Sequence, residues 1–234
     1  MTQIAVMYMK NKKFYIEAAV ITILAFVWTG ISYTGSRLIA GSWYHYDITI
    51  DFIDSLFPVV PWTVVIYFGC YIFWIINYFI CAIGDPLDRD RFFCADALAK
   101  LIGFVIFVVF PTTNIRPEIT DGGFFGSVMN LLYGIDSADN LFPSFHCLAS
   151  WFCFIGVRKR KDIHIGYKLF SLIAAFAVFV STLTTKQHVI VDVFGGVILA
   201  ELAYFVAGHS KVRNIYARFF SFVLRLLRLE KDTK

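Results

Sequence analysis

Charge is scarce in this chain. Lysine, arginine, aspartate and glutamate make up 16% of its 234 residues, against about a quarter in a water-soluble domain. That is too little charge to cover a surface facing water on every side, so a soluble globular fold is excluded. Patterned cysteine is also missing. Cys70, Cys81, Cys94, Cys147 and Cys153 lie in or beside apolar runs, and no CxxC occurs. That argues against a disulfide framework and against a cysteine zinc site. The first apolar run, from Phe14, lacks a small-residue cleavage site and reads as a membrane span rather than a cleaved signal. With no internal repeat and no low-complexity linker, residues 1–234 read as one domain. Its core is 58–208, and 209–234 form a basic amphipathic cytoplasmic tail.

Apolar surface, in contrast, is abundant. The chain is 59% hydrophobic and 18% aromatic, with a mean hydropathy of +0.69. A span needs about 20 apolar residues. Runs at 14–33, 61–83, 95–111, 144–158, 165–184 and 188–208 therefore predict an all-α, polytopic membrane protein with six transmembrane helices. Lys10, Lys12 and Lys13 precede the first run. Arg89, Arg91 and Lys100 are assigned between the second and third, Arg158 to Lys168 around the fourth and fifth, and the rest follow the sixth. Eighteen of the 21 basic residues thus fall on one side. By the positive-inside rule both termini are expected in the cytoplasm. Only Arg37, Arg116 and Lys186 lie outside, where orientation does not require them.

The segments between spans are read in the same way. SWYHYDITIDFIDSLFPVVPW predicts an outer interfacial helix closed by Pro58 and Pro61, with Asp54 on an exposed face. Residues 112–143 predict a folded rim with a short helix at 124–133. GDPLDRDR reads as a solvated turn. In the tail, Lys211, Asn214, Arg218, Ser221, Arg225 and Arg228 form a basic stripe on an apolar helix, suited to anionic lipid at the inner interface. Glu201, about 20 Å below His188 along a helix, is too deep for an outer site and is assigned a partner near the inner leaflet.

Three outer pieces carry chemistry: TTNIRPEI, NLFPSFHCL and TTKQHVIVDV. His188 and Asp192 stand four residues apart and share a helix face. A carboxylate one turn below an imidazole can accept one ring N–H, which fixes the tautomer and leaves the other nitrogen as base or nucleophile. The alternative is a pair that only cements helix contacts. A charge inside the bilayer costs a few kcal/mol, so Asp192 should face partners rather than lipid. Pro143 fits a first helical turn and places Ser144 and His146 at a helix N-terminus, which favours anions. Arg116 is a fork donor suited to phosphate oxygens, and Lys186 lies at the same rim. A histidine nucleophile, a second histidine as acid and two or three cations suffice for phosphoryl transfer, with no metal and no cofactor.

FPSFH, followed some forty residues later by ST…KQHVIVD, resembles the type 2 phosphatidic acid phosphatase superfamily. That superfamily includes lipid phosphate phosphatases and the sphingomyelin and inositol phosphorylceramide synthases. PSFH, where PSGH is usual, is more similar to the inositol phosphorylceramide synthase branch. The resemblance implies that His188 attacks phosphorus and forms a phosphohistidine. Asp192 orients His188, and His146 protonates the leaving oxygen. Arg116, Lys186, Ser144 and the Phe145 backbone N–H hold the phosphate. The first motif's lysine is replaced by Val109 and the third motif's arginine by Thr182. Lys186 and Arg37 are the candidates to substitute for them.

These readings make the chain an integral-membrane lipid phosphatase with its site in a helical bundle at the extracytoplasmic face. Its expected partners are a lipid phosphate or phospholipid substrate and membrane lipids, and no nucleic acid. Lipid headgroup transfer is the nearest alternative, and a transporter or a non-catalytic lipid-binding relative is the next.

Overall fold

The structure is a computed structural model that describes residues 3–120 and 122–227, with side chains from residue 12 onward. Lys10's side chain and Arg228, Lys231 and Lys234, counted above, lie outside the described residues. Nine α-helices account for most of the described residues. They are α1 (Gln3–Ala40), α2 (Asp51–Asp54), α3 (Val64–Ala82), α4 (Pro86–Val109), α5 (Phe124–Ile135), α6 (Phe145–Arg158), α7 (Ile165–Thr184), α8 (Ile190–Ala207) and α9 (Ser210–Leu226). The expected rim helix is present as α5. One parallel bridge joins β1 (Tyr46–Asp47) to β2 (Thr112–Thr113), pairing Tyr46 with Thr112 and Asp47 with Thr113.

Among the described residues, four segments are long and apolar enough to cross a membrane: Lys12–Ala40, Pro61–Ala82, Pro86–Val109 and Ile165–Thr184. A fifth candidate is α8 with α9, a pair bent by 93°. The chain is therefore an all-helical protein with four or five candidate membrane-spanning helices rather than six alike. The predicted span that fails this test by length is the fourth, α6. It has 14 residues, about 21 Å of helix, short of the ~30 Å hydrocarbon core. α6 packs against α3, α4, α7 and α8, so lipid does not set its length.

Several segments differ from the sequence reading. α1 runs well past residue 33. The predicted interfacial helix is only the single turn of α2 and a 3₁₀ turn at Pro61–Thr63, because β1 pairs with β2 and interrupts it. GDPLDRDR is no turn but the start of α4. The Asp85 carboxylate accepts the Leu87 N–H at 2.9 Å, and Pro86 occupies the first helical position, which needs no N–H. Pro143 precedes the cap residue Ser144 instead of opening α6, and the Phe142–Pro143 bond is cis. Asp54 is buried rather than exposed.

The ends of α1, α4 and α7 and the starts of α3, α6 and α8 gather at one end of the bundle. Direct bonds show it: Val60 N–H to the Thr184 carbonyl (3.0 Å), Ser144 N–H to the Asp192 carbonyl (3.0 Å) and Asn140 Nδ2 to the Tyr33 carbonyl (3.1 Å). At the other end Arg158 forks onto Glu201 (2.5 and 2.9 Å), which also accepts the Trp151 indole N–H at 2.8 Å. This is the deep partner expected for Glu201. α9 docks on the core through Phe220 and Leu224 and leaves Ile215, Phe219, Phe222 and Leu226 exposed along one stripe.

Lys100, assigned to the cytoplasmic flank, is instead inside α4 and 1% exposed. Its ammonium donates to Asp96 Oδ2 at 2.7 Å and to the Ala25 carbonyl at 3.0 Å, while Tyr78 donates to Asp96 Oδ1 at 2.6 Å. Every oxygen of the buried carboxylate is thus partnered. Removing one member of such a pair typically costs about 3–5 kcal/mol. Lys100→Met is expected to lower the melting temperature in a fixed detergent sharply, and adding Asp96→Asn should restore most of it. A single variant as stable as the parent would show that the pair contributes nothing.

Candidate active site

The starts of α6 and α8 meet because nothing bulky separates them. A Cβ on Gly196 of α8 would lie 2.5 Å from the Ser144 carbonyl and 3.1 Å from the Leu148 nitrogen. Glycine is the residue that allows this approach. At the junction the Ser144 hydroxyl accepts the Cys147 N–H at 3.2 Å, and its carbonyl accepts the Leu148 N–H at 2.9 Å. Ser144 is thus the cap of α6. The first-turn N–H groups of Phe145 and His146 have no acceptor within the helix.

α8 has no polar cap residue, since Val189 stands there. Two carboxylates do that work. Asp192 Oδ2 accepts the Val189 N–H at 3.0 Å, and Asp54 Oδ1 reaches across from α2 to accept the Ile190 N–H at 2.8 Å. The same Asp192 oxygen lies 3.2 Å from His188 Nδ1. The ring therefore donates from Nδ1, and Nε2 carries the free lone pair. Asp192 is fully buried, and its Oδ1 has no hydrogen-bond partner among the described residues. A half-satisfied buried carboxylate is costly.

His146 faces His188 with ring centroids 5.8 Å apart. It sits against Tyr67 (4.4 Å between centroids) and Trp74 (5.4 Å), with the Tyr71 hydroxyl 3.4 Å from its Nε2. Both histidines line a chamber of about 460 Å³ between α1, α3 and α6, together with Arg37, Arg116 and Phe145. The Phe145 ring packs on Phe107 at 4.7 Å. Arg116 donates to the carbonyls of Asp136 and Ser137 and to Gln187 Oε1 at 2.8 Å. Its guanidinium lies 5.2 Å from the Tyr133 ring. Burial pushes the Tyr133 phenol up, with Arg116 pulling it partly back; its hydroxyl donates to the Thr185 carbonyl at 3.0 Å.

The structure thus gathers His188, Asp192, His146, Arg116, Phe145 and Arg37 in or against one chamber. Arg37 arrives already matched: it is 2.5 Å from Asp139 and 3.8 Å from Asp136. Lys186 points elsewhere. Its ammonium donates to the carbonyls of Phe57 (2.5 Å) and Asp54 (3.2 Å), and it borders a separate outer cavity of about 230 Å³ that shares only His188 with the chamber. Ser144 is adjacent, its hydroxyl engaged in capping.

Sequence reasoning missed three residues. Asp136 accepts from the hydroxyls of Tyr33 (2.9 Å) and Tyr67 (3.1 Å) and borders the chamber. Asp54 fixes the start of α8. Gln187, 1% exposed, lines the chamber beside Arg116, whose guanidinium donates to its Oε1. Only Gln187 carried a signal, its place beside His188 in KQHV. No family model, no curated protein and no solved structure matches this chain.

Asp54 holds both ends of the loop that carries His188, through the Ile190 N–H and the Lys186 ammonium. Asp54→Ala should cost about 1–2 kcal/mol, as loss of a helix cap does. It should also lower turnover although Asp54 is not in the chamber. Turnover and thermal stability both equal to the parent would remove Asp54 from this role.

Proposed function

We propose that this chain is an integral-membrane lipid phosphatase of the type 2 phosphatidic acid phosphatase kind, cleaving a lipid phosphate ester through a phosphohistidine. The observation that carries the reading is the oriented pair His188–Asp192 facing His146 across one chamber with Arg116. In this reading six passes alternate through the bilayer, with α6 as the short central one and the chamber at the extracytoplasmic end. The basic stripe of α9, Lys211, Arg218 and Arg225, then lies at the inner interface against anionic lipid, with both termini in the cytoplasm.

The chemistry follows from the geometry. His188 Nε2 forms the N–P bond as the P–O bond to the lipid alcohol breaks, and the charge gained by the imidazole is met by Asp192 on Nδ1. His146 gives a proton to the departing oxygen. Among the described residues no carboxylate bonds His146 directly, and Asp136 reaches it only through the Tyr67 hydroxyl, so the bound phosphate supplies the further negative charge that favours its protonated form. Water then attacks phosphorus and returns a proton to His146, and the N–P bond breaks. Arg116 and the N–H groups opening α6 stabilise charge on the equatorial oxygens.

Headgroup transfer is the second reading. Tyr67, Tyr71, Trp74 and Phe145 give the chamber an aromatic wall, and a wall that excludes water favours a lipid alcohol as acceptor. The purified protein is expected to release phosphate from lipid phosphates in the presence of EDTA. His188→Ala should reduce release at least about a thousandfold. Exchange of headgroup only when a second lipid alcohol is added would establish the transfer reading. Neither activity across a broad lipid panel would overturn both.

A further inference from the structure

His188 and His146 are both held at Nδ1, by different means. His188 Nδ1 meets the Asp192 carboxylate directly. His146 Nδ1 lies 3.5 Å from the Tyr67 hydroxyl, and that hydroxyl lies 3.1 Å from Asp136 Oδ2. Asp136 follows the last residue of α5 and is fixed from several sides. Its N–H donates to the Leu132 carbonyl at 3.0 Å, its carbonyl accepts from Arg116, and its Oδ1 accepts the Tyr33 hydroxyl at 2.9 Å. Tyr67 is buried, with its ring against that of His146. Proton counting sets the direction of this chain. A phenol has one proton to give, and a carboxylate only accepts. Asp136 is the nearer acceptor and the charged one, so it takes that proton. The Tyr67 oxygen then turns a lone pair to His146, and Nδ1 must carry the N–H. Nε2 is left to exchange a proton. The Tyr71 hydroxyl, 3.4 Å from Nε2, marks where an oxygen partner stands.

We propose that Asp136 and Tyr67 are positioning residues for His146: the carboxylate orients the phenol, and the phenol holds Nδ1–H so that Nε2 is presented to the reacting oxygen. The inference rests on the reading of His146 as the acid. No proton travels along the chain; Tyr67 keeps its own, and only Nε2 exchanges one. The arrangement accounts for the difference between the two histidines. The nucleophile becomes positively charged while bonded to phosphorus, and a carboxylate in contact stabilises that charge. The acid must release its proton, and a carboxylate in contact would oppose release. A phenol in between orients the ring and passes on only part of the carboxylate's effect. The other charged or titratable groups facing this chain are Tyr33 and Arg37 from α1, Tyr71 from α3, Asp139, which pairs with Arg37, and His188 from the turn before α8.

Two measurements test this, one of them apart from catalysis. The full chain labelled with ¹⁵N-histidine is titrated in detergent micelles by NMR, and the His146 signals are identified by their loss in His146→Gln. In the parent the neutral ring should carry its proton on Nδ1. Tyr67→Phe keeps the ring contact, removes the hydroxyl and should move that proton to Nε2. Asp136→Asn should lower the proton affinity of His146 about tenfold. The second measurement is the pH profile of kcat for phosphate release. Activity falls at alkaline pH as the acid loses its proton. That limb should move to lower pH by the same factor in both variants, and the double variant should move it no further. Tyr33→Phe removes a hydrogen bond from Asp136 without touching the chain, and it should leave the limb in place. A purely structural role would change the melting temperature and not the limb. A neutral parent ring protonated on Nε2, or signals and limb unchanged in Asp136→Asn, would overturn the inference. Asp136→Asn decides the matter alone if Tyr67→Phe fails to fold. An Nδ1–H ring that depends on Tyr67, in a protein that releases no phosphate, would refute the acid role and leave the positioning standing.

Discussion

The contact between the start of α6 and the start of α8 is the constraint on which the site depends. Each helix presents a histidine near its first turn, and the two can face each other only if the two backbones nearly touch. Gly196 permits that approach, and the Ser144 N–H bond to the Asp192 carbonyl locks it. The same aspartate then uses its side chain to cap α8 and to orient His188. One residue thus sets helix position, helix termination and ring tautomer together. A buried carboxylate in an apolar bundle is retained because three separate requirements converge on it.

Electrostatics inside the bundle follows a consistent rule. Cations within or beside the core are satisfied locally: Lys100 by Asp96, Arg158 by Glu201, Arg37 by Asp139. This is what a low-dielectric interior demands. Other cations are held by carbonyls instead: Lys186 by those of Asp54 and Phe57, and Arg91 by that of Tyr204. Arg116 belongs with these, held by two carbonyls and the Gln187 amide, which fix its orientation. Such contacts satisfy the donors without cancelling the charge, and that feature is the physical support for the phosphate role proposed for Arg116.

The helices, the rim helix α5 and the pairing of His188 with Asp192 were legible in the sequence because each depends on spacing along one element. Apolar runs mark helices, and an i, i+4 pair needs only a helix to bring it together. What was not legible depended on contacts between distant segments. Lys100 has the sequence look of a flank charge; only the approach of α1 and the turn back to Asp96 make it a core residue. Asp54 sits in an acidic, aromatic segment that reads as an exposed face, yet tertiary folding brings it 136 positions along the chain to Ile190. Asp136 owes its place to tyrosines on α1 and α3. The length of α6 was misleading for the opposite reason: a helix surrounded by protein is free of the length that lipid imposes.

The link between α7 and α8 shows why Lys186 does not turn its charge into the chamber. Thr182 is fully buried. Its hydroxyl donates to the Phe179 carbonyl at 2.8 Å, and its own carbonyl accepts from both Gln187 (3.0 Å) and His188 (3.2 Å). The chain must therefore reverse within a few residues, and Lys186 takes a left-handed backbone with φ of 54° to do so. A non-glycine residue in that region is uncommon and persists only where its surroundings hold it. Here the lysine ammonium, bonded to the Asp54 and Phe57 carbonyls, supplies that hold. Lys186 thus belongs to the frame of the turn, and the same turn delivers Gln187 and His188 to the chamber wall.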